Sequence, residues 1–432
     1  MVALTGSEGL ARLLSFLFYL VAARILAPEG FGVVRFTIAL VGIAFGPMQV
    51  LAVVTGRELG AARGDPRRTG EVLGTTLAVA QGLLLVSLGL CVLAAALGLT
   101  GSADLVGILV VLVGRALFEL YYAVGRGMGQ VSRMAVTYVG GSLVQLLALL
   151  ALDFAGAAGV TAALVVFGAS SALPLVLCEA LRPVIRGRAL RRSRSVGRDL
   201  WRLGAPLIVA EVAFLAWFSA DQVWVEATLG TREVGLYAAA KTVAQIPAVL
   251  PAGAAGIILP RMAELRVAGA EHAATRLLWE TAMGLLVLLL LVAGALAVIS
   301  QPLMRGLFGA GYAPASASLI PLCVAAAVFG AFITLTNGAV GWGRPQLYTA
   351  GVAVAGASEL LLLVLVAGDR ASDAGWAYAA SITLGLVTVV ALLWRSPLRV
   401  ATAHARAESL PAGPAPTPAR APRAMRRRRP RG

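Results

Sequence analysis

Apolar runs long enough to cross a bilayer recur along almost the whole chain, and they leave few folds open to it. They lie at 5–26, 33–55, 71–98, 103–125, 134–154, 158–181, 202–228, 235–259, 277–299, 314–340, 346–367 and 373–395, about twelve in all. Each reaches the about 20 residues that a helix needs to span the hydrocarbon core. Inside lipid every backbone N–H and C=O must find a partner within the protein, so only helices or closed barrels are viable. The runs are continuous rather than alternating, which selects helices. Of the 432 residues, 59% are hydrophobic and 13% charged, against roughly 25% charged in soluble domains. The expected fold is therefore an all-α polytopic membrane protein. The first run has no clear basic n-region and no small-x-small cleavage site, so it reads as a retained helix rather than a signal peptide.

The loops test this count. If the N-terminus is cytoplasmic, one set of loops is "RELGAARGDPRRTGE" (57–71), "RGMGQVSR" (126–133), "RPVIRGRALRRSRSVGRDLWR" (182–202), "PRMAELRVAGAEHAATR" (260–276) and "GWGRPQ" (341–346), each with arginine. The alternate loops, such as "GLTGSAD" (98–104), "DFAGAAG" (153–159) and "QPLMRGLFGAGYAP" (301–314), carry few basic residues. This asymmetry is the positive-inside pattern, and one helix too many or too few would scramble it. The net charge of +15 thus has a topogenic explanation, and no nucleic-acid partner is expected. Residues 396–432, ending "RAMRRRRPRG", are too rich in Pro, Ala and Arg to build a core and are expected to form a disordered basic cytoplasmic tail.

The two halves resemble each other. "GMGQVSRMAVTYVGGSLVQLLALLALDFAGAAGVTAAL" (127–164) aligns with "GRPQLYTAGVAVAGASELLLLVLVAGDRASDAGWAYAA" (343–380), pairing Gln130 with Gln346, Asp153 with Asp369 and Gly159 with Gly375, each 216 apart. Gly32 in "PEGFG" pairs with Gly235 in "REVGLY" at a spacing of 203. The order is parallel, so two six-helix lobes are expected around a central cavity, related by an axis along the membrane normal. The lobes are assigned to 1–181 and 202–395, with a basic cytoplasmic linker at 182–201.

Charged residues within spans, or within a turn of one, are functional hypotheses because each costs roughly 2.5–3.5 kcal/mol at mid-membrane on insertion scales. Glu8 with Arg12 and Arg115 with Glu119 are i,i+4 pairs able to neutralise each other. Arg24, Arg35 and Lys241, the last being the single lysine, have no counter-ion at helical spacing on their own segments. Uncompensated cations of this kind point to an anionic substrate or to a partner on another helix, and arginine forks suit pyrophosphate. Glu359 lies in a span of its own. Asp221 and Glu211 are carboxylates in the seventh run and are candidates for ion or proton coupling. No metal site, disulfide framework or Walker-type ATP site is expected: the cysteines are far apart, the two histidines fall in polar stretches, and GxxxxGK[ST] is missing. Neither catalysis nor a cofactor is expected.

These residues carry a family resemblance. "ARILAPEGFGVVRFTIALVGIAFGPMQVLAVVTGRELG" resembles the first two helices of bacterial polysaccharide flippases, the O-antigen and exopolysaccharide branch of the multidrug/oligosaccharidyl-lipid/polysaccharide exporter superfamily. "DQVWVEATLGTREVGLYAAAKTVAQIPAVLPAGAAGIILPRMAEL" is similar to their seventh and eighth helices, through Asp221, Val234-Gly235, Tyr237 and Pro260-Arg261 with Glu264-Leu265. "LFGAGYAPASASLIPL" and "GWGRPQ" resemble later segments, so the likeness runs to about residue 397. The resemblance implies alternating access and an undecaprenyl-pyrophosphate-linked oligosaccharide moved from the inner to the outer leaflet of the cytoplasmic membrane. Arg24, Arg57 and Lys241 would then hold the pyrophosphate, with Arg12 and Arg35 next. Membrane lipids, a polysaccharide polymerase and export machinery would be the partners.

Three other classes compete. A major facilitator transporter also has twelve helices in parallel halves, but "GRELGAARGDPRRTG" holds the ingredients of its signature loop in the wrong order. A drug/cation antiporter would carry an acidic rather than a basic cavity. A membrane polysaccharide polymerase or ligase needs a large outer loop or a catalytic soluble domain, and the loop at 301–314 is too short for either. For the topology, alkaline phosphatase fused after Gly187 is expected to stay inactive, and fused after Ala157 to be active. The reverse pattern would invert the assignment.

Overall fold

A computed structural model describes residues 2–62, 64–96, 98, 104–181, 189–365 and 368–395. The first half contributes α1 (Val2–Ala61), α2 (Pro66–Ala96), α3 (Leu105–Gly127), α4 (Val131–Phe154) and α5 (Val160–Leu181). The second contributes α6 (Arg194–Leu229), α7 (Thr231–Ala244), α8 (Val249–Val267), α9 (Glu271–Val298), α10 (Ser300–Phe308), α11 (Ser316–Gly341), α12 (Pro345–Leu365) and α13 (Ala371–Arg395). Among the described residues, nine helices are long and apolar enough to cross a membrane, or ten if α7 and α8 form one span. The count matches the sequence reading once α1 is taken as two spans and α5 is added. Helix α1 is broken at Ala27 into two arms, and the apolar stretch Val160–Leu173 of α5 is a shorter helix.

Two segments differ from expectation. The run 235–259 is not one straight helix: α7 ends at Ala244, a 3-10 turn covers Ile246–Ala248, and the two arms are bent by 44°. Pro247 and Pro251 each remove a backbone donor there, which breaks the ladder. The loop 301–314 is not loose either. It holds α10 and a 3-10 turn at Ala310–Ala315, because Ser300, Met304 and Phe308, four residues apart, bury one face of α10. Of the linker, residues 189–193 run against α2, where the Arg191 amide donates to the Gly70 carbonyl at 3.2 Å and the Ser193 amide to Thr75 Oγ1 at 2.9 Å. Helix α6 starts at Arg194. The tail 396–432 lies outside the described residues.

The helices pack with apolar faces turned outward. Leu85 and Leu90 on α2, Leu291 on α9 and Val364 on α12 are each more than half exposed, as lipid-facing residues are in a bilayer. Inside, α1 packs on α3 and α4 of its own half and on α6 and α7 of the other, while α11 packs on α8, α9 and α13.

The repeat has a physical centre. Ala27 (φ 55°, ψ 174°) and Gly230 (φ 86°, ψ 175°) share one backbone conformation, and their spacing is 230 − 27 = 203, that of Gly32 and Gly235. Each residue opens a tight turn between two helices. Pro28 follows Ala27 and bars it from the α region. Beyond the turns, the equivalent residues touch each other. A Cβ on Gly32 would strike the Thr231 carbonyl, and a Cβ on Gly235 would strike the Pro28 carbonyl. Thr231 and Pro28 are also 203 apart. The contact is therefore isologous: residue i meets j, and the equivalent of i meets the equivalent of j. It fixes the pseudo-two-fold axis at the crossing of α1 and α7.

Gly235→Ala is expected to destabilise the fold by about 1–3 kcal/mol, the usual cost of overpacking a close contact, read as a lower melting temperature of the purified protein. Ala27→Gly, by contrast, removes a side chain from a conformation suited to glycine and should hold or raise the melting temperature. Equal behaviour of the two variants would contradict the crossing described here.

Candidate functional site

Between the two halves, at the end of the bundle that carries the basic loops, lies a cavity of about 660 Å³. Gln49 and Arg57 of α1, Glu119 and Tyr122 of α3, Glu211 of α6 and Tyr348 of α12 stand on its wall. Arg57 is exposed, and no carboxylate lies within ion-pair distance of it among the described residues. Glu119 is engaged instead by Arg115, at 3.1 Å, so the expected i,i+4 pair forms. Phe118 stacks on Tyr122 with ring centroids 5.8 Å apart. Sequence reasoning placed Arg57 and Glu211 in different roles, and the fold brings them to the same cavity.

The opposite end is sealed. There α1 and α7 cross at Gly32 and Gly235. Tyr312, in the 3-10 turn after α10, donates its hydroxyl to the Ala23 carbonyl at 2.9 Å and meets the Phe31 ring edge-on at 6.3 Å. Arg24 completes the seal. Its Nε donates to the Leu307 carbonyl at 2.6 Å and its Nη2 to the Gly306 carbonyl at 2.5 Å. Those carbonyls end α10, where orphan acceptors and the negative end of the helix dipole favour a cation. Arg24 was expected to face an anionic substrate. The structure places it across the lobes on a helix end, with its donors occupied.

Lys241 is also placed away from the cavity. It is 2% exposed and lies 2.6 Å from Asp221, itself 0% exposed. The ammonium donates as well to the Phe218 carbonyl at 2.9 Å and sits 4.8 Å and 4.7 Å from the Phe218 and Tyr378 ring centres. Tyr237 donates its hydroxyl to Asp221 Oδ2 at 2.7 Å. The counter-ion that Lys241 lacks on its own helix thus comes from α6. Glu359 of α12 is buried within electrostatic reach of this pair, and its two oxygens have no hydrogen-bond partner within bonding geometry.

The remaining candidates are scattered. Arg12 is exposed on the first arm of α1 and lines no cavity described here. Arg35 lies over the Tyr19 ring, 4.5 Å from its centre, with a buried Nε that has no hydrogen-bond partner. The Glu8 side chain lies outside the described residues. A search for charge finds Arg57 and Glu211 but misses Gln49, Tyr122 and Tyr348. Neutral residues leave no mark against an apolar background, and only the bundle brings these together.

Breaking the buried pair should be costly. Lys241→Met leaves the buried Asp221 without its counter-ion, and is expected to lower stability by about 3–5 kcal/mol. The double variant Lys241→Met with Asp221→Asn should recover part of that loss, because the Asp221 charge is removed together with its partner. Thermal melts of the purified variants measure both.

Comparisons with known proteins agree with this architecture. The family model described as "Polysaccharide biosynthesis protein" matches residues 1–266. No curated protein matches the chain. Among solved structures, the chain is similar to an inward-facing multidrug resistance MATE family transporter of the MOP superfamily, with TM-score 0.70 and 15% identity over 89% of this chain and 96% of that one. It is similar to the lipid II flippase MurJ in an inward closed conformation, with TM-score 0.67 and 13% identity over 91% and 88%. A MOP superfamily transporter from Pyrococcus furiosus gives TM-score 0.66 and 15% identity over 91% and 94%. At these identities the likeness is one of fold. The chain is a multi-span helical membrane protein with the MOP superfamily fold, and it belongs to the polysaccharide biosynthesis protein family.

Proposed function

We propose that this protein is a lipid-linked oligosaccharide flippase of the cytoplasmic membrane. It moves an undecaprenyl-pyrophosphate-linked glycan from the inner to the outer leaflet by alternating access. The observation that carries the reading is the cavity of about 660 Å³ between the halves, at the end whose loops are basic. The other end is closed by backbone crossing and by Arg24. With the N-terminus and the C-terminus in the cytoplasm, the cavity faces the leaflet on which the substrate is made.

Arg57 is the residue best placed to meet the pyrophosphate. Its guanidinium is free and planar, and it suits paired phosphate oxygens. Glu211, on the facing wall, is the better placed of the two coupling candidates. Asp221 is held by Lys241 and Tyr237, so drawing a proton or ion to it requires that pair to open. In this reading Arg24 and Lys241 serve closure and folding, and Arg12 and Arg35 stand apart from the phosphate.

Deleting the gene is expected to leave lipid-linked glycan accumulating on the cytoplasmic face. Arg57→Ala should reduce export about tenfold, the worth of one charged hydrogen-bonded contact, with the protein level unchanged. Normal glycan export in the deletion, together with loss of efflux of a small cationic drug, would overturn the reading in favour of an antiporter.

A further inference from the structure

The two halves share a sequence repeat but not the same interior. A second chamber, of about 300 Å³, lies among the helices of the first half, with Leu215 of α6 at one edge. Ser15 and Ile38 of α1 border it. The spacing of 203 that relates Gly32 to Gly235 takes Ser15 to Phe218 and Ile38 to Lys241. In the second half these two larger residues pack on each other, with Lys241 Nζ 4.8 Å from the Phe218 ring centre. What Lys241 and Phe218 fill on one side of the axis is open on the other.

The open chamber has a consistent chemistry. Tyr19 and Phe167, 6.2 Å apart, and Phe118 and Tyr138, 5.6 Å apart, bring aromatic rings to its wall. Between them stand neutral hydrogen-bonding groups. Ser15 and Ser142 approach each other at 3.4 Å. Gln145 is 6% exposed, lines the chamber, and has a buried Nε2 without a hydrogen-bond partner. An amide N–H₂ left unsatisfied at a buried position costs the full desolvation of the group. The cation on the wall, Arg115, is neutralised by Glu119. Phosphate would find little here. A neutral ring with C–H faces for the aromatic quadrupoles and hydroxyls for Gln145 would satisfy every element of the wall.

We propose that this chamber is the receptor for a pyranose unit of the transported glycan. The assignment rests on the flippase reading and deepens it by separating the sites for the two chemical parts of the substrate. Gln49 lines both chambers, so a glycan seated here is continuous with a pyrophosphate at Arg57. In this arrangement the first half reads the sugar.

The test uses the full chain in phospholipid nanodiscs and two probes. One is undecaprenyl pyrophosphate. The other is the glycan-bearing lipid pool extracted from cells lacking this protein. The glycan-bearing lipid is expected to bind about tenfold more tightly than the bare one. Gln145→Met, which keeps the side-chain volume, and Ser142→Ala should each reduce that advantage without changing affinity for the bare lipid. Arg57→Ala should weaken both probes equally. If the bare lipid binds and the glycan adds nothing, or if both chamber variants keep the full advantage, the chamber assignment fails alone. If neither lipid binds, the flippase reading fails and the chamber assignment falls with it.

Discussion

The architecture turns on a place where two backbones touch. Gly32 and Gly235 let α1 and α7 approach until a methyl group on either would meet a carbonyl of the other segment. Between membrane helices there is little hydrophobic drive, and close van der Waals approach at small residues takes its place. Here that approach lies on the pseudo-symmetry axis, so it joins the halves at one end and leaves them free to part at the other. The cavity at Arg57 exists because the crossing at Gly32 holds.

Much of this was legible in the sequence. Length and continuity of the apolar runs give the number of spans, and equal spacings give the repeat. The turns were legible only in part: Gly32 and Gly235 pair at a spacing of 203, but the residues that make the turns are Ala27 and Gly230, which share one backbone conformation. The bend near Pro247 and the ordering of α10 were not, because each depends on what packs beneath it. Spacing found Arg115 with Glu119, since a helix places i and i+4 together. Spacing could not find Lys241 with Asp221, which meet across two helices.

The candidate site shows the limit more sharply. Reading charge in a span as function puts Arg24, Arg57 and Lys241 on equal terms. Their surroundings separate them: Arg24 is spent on helix-end carbonyls, Lys241 on a buried carboxylate, and Arg57 on no carboxylate among the described residues. An isolated charge in an apolar run marks a place where a partner is required, but it does not say whether the partner is a substrate or the protein itself. The residues that would recognise sugar, Gln145 and the tyrosines, carry no charge and cost little to insert.

The bonds of Arg24 carry one more consequence. Its acceptors are the carbonyls of Gly306 and Leu307, which do not titrate, and a guanidinium keeps its proton at any physiological pH. These two bonds are thus blind to acidity on their own side of the membrane. The carboxylates that face the transport path lie elsewhere, Glu211 on the cavity wall and Glu359 in the buried interior. The Arg24 clasp itself answers instead to mechanical separation of the halves and to whatever phosphates of the lipid surface compete for the freed arginine.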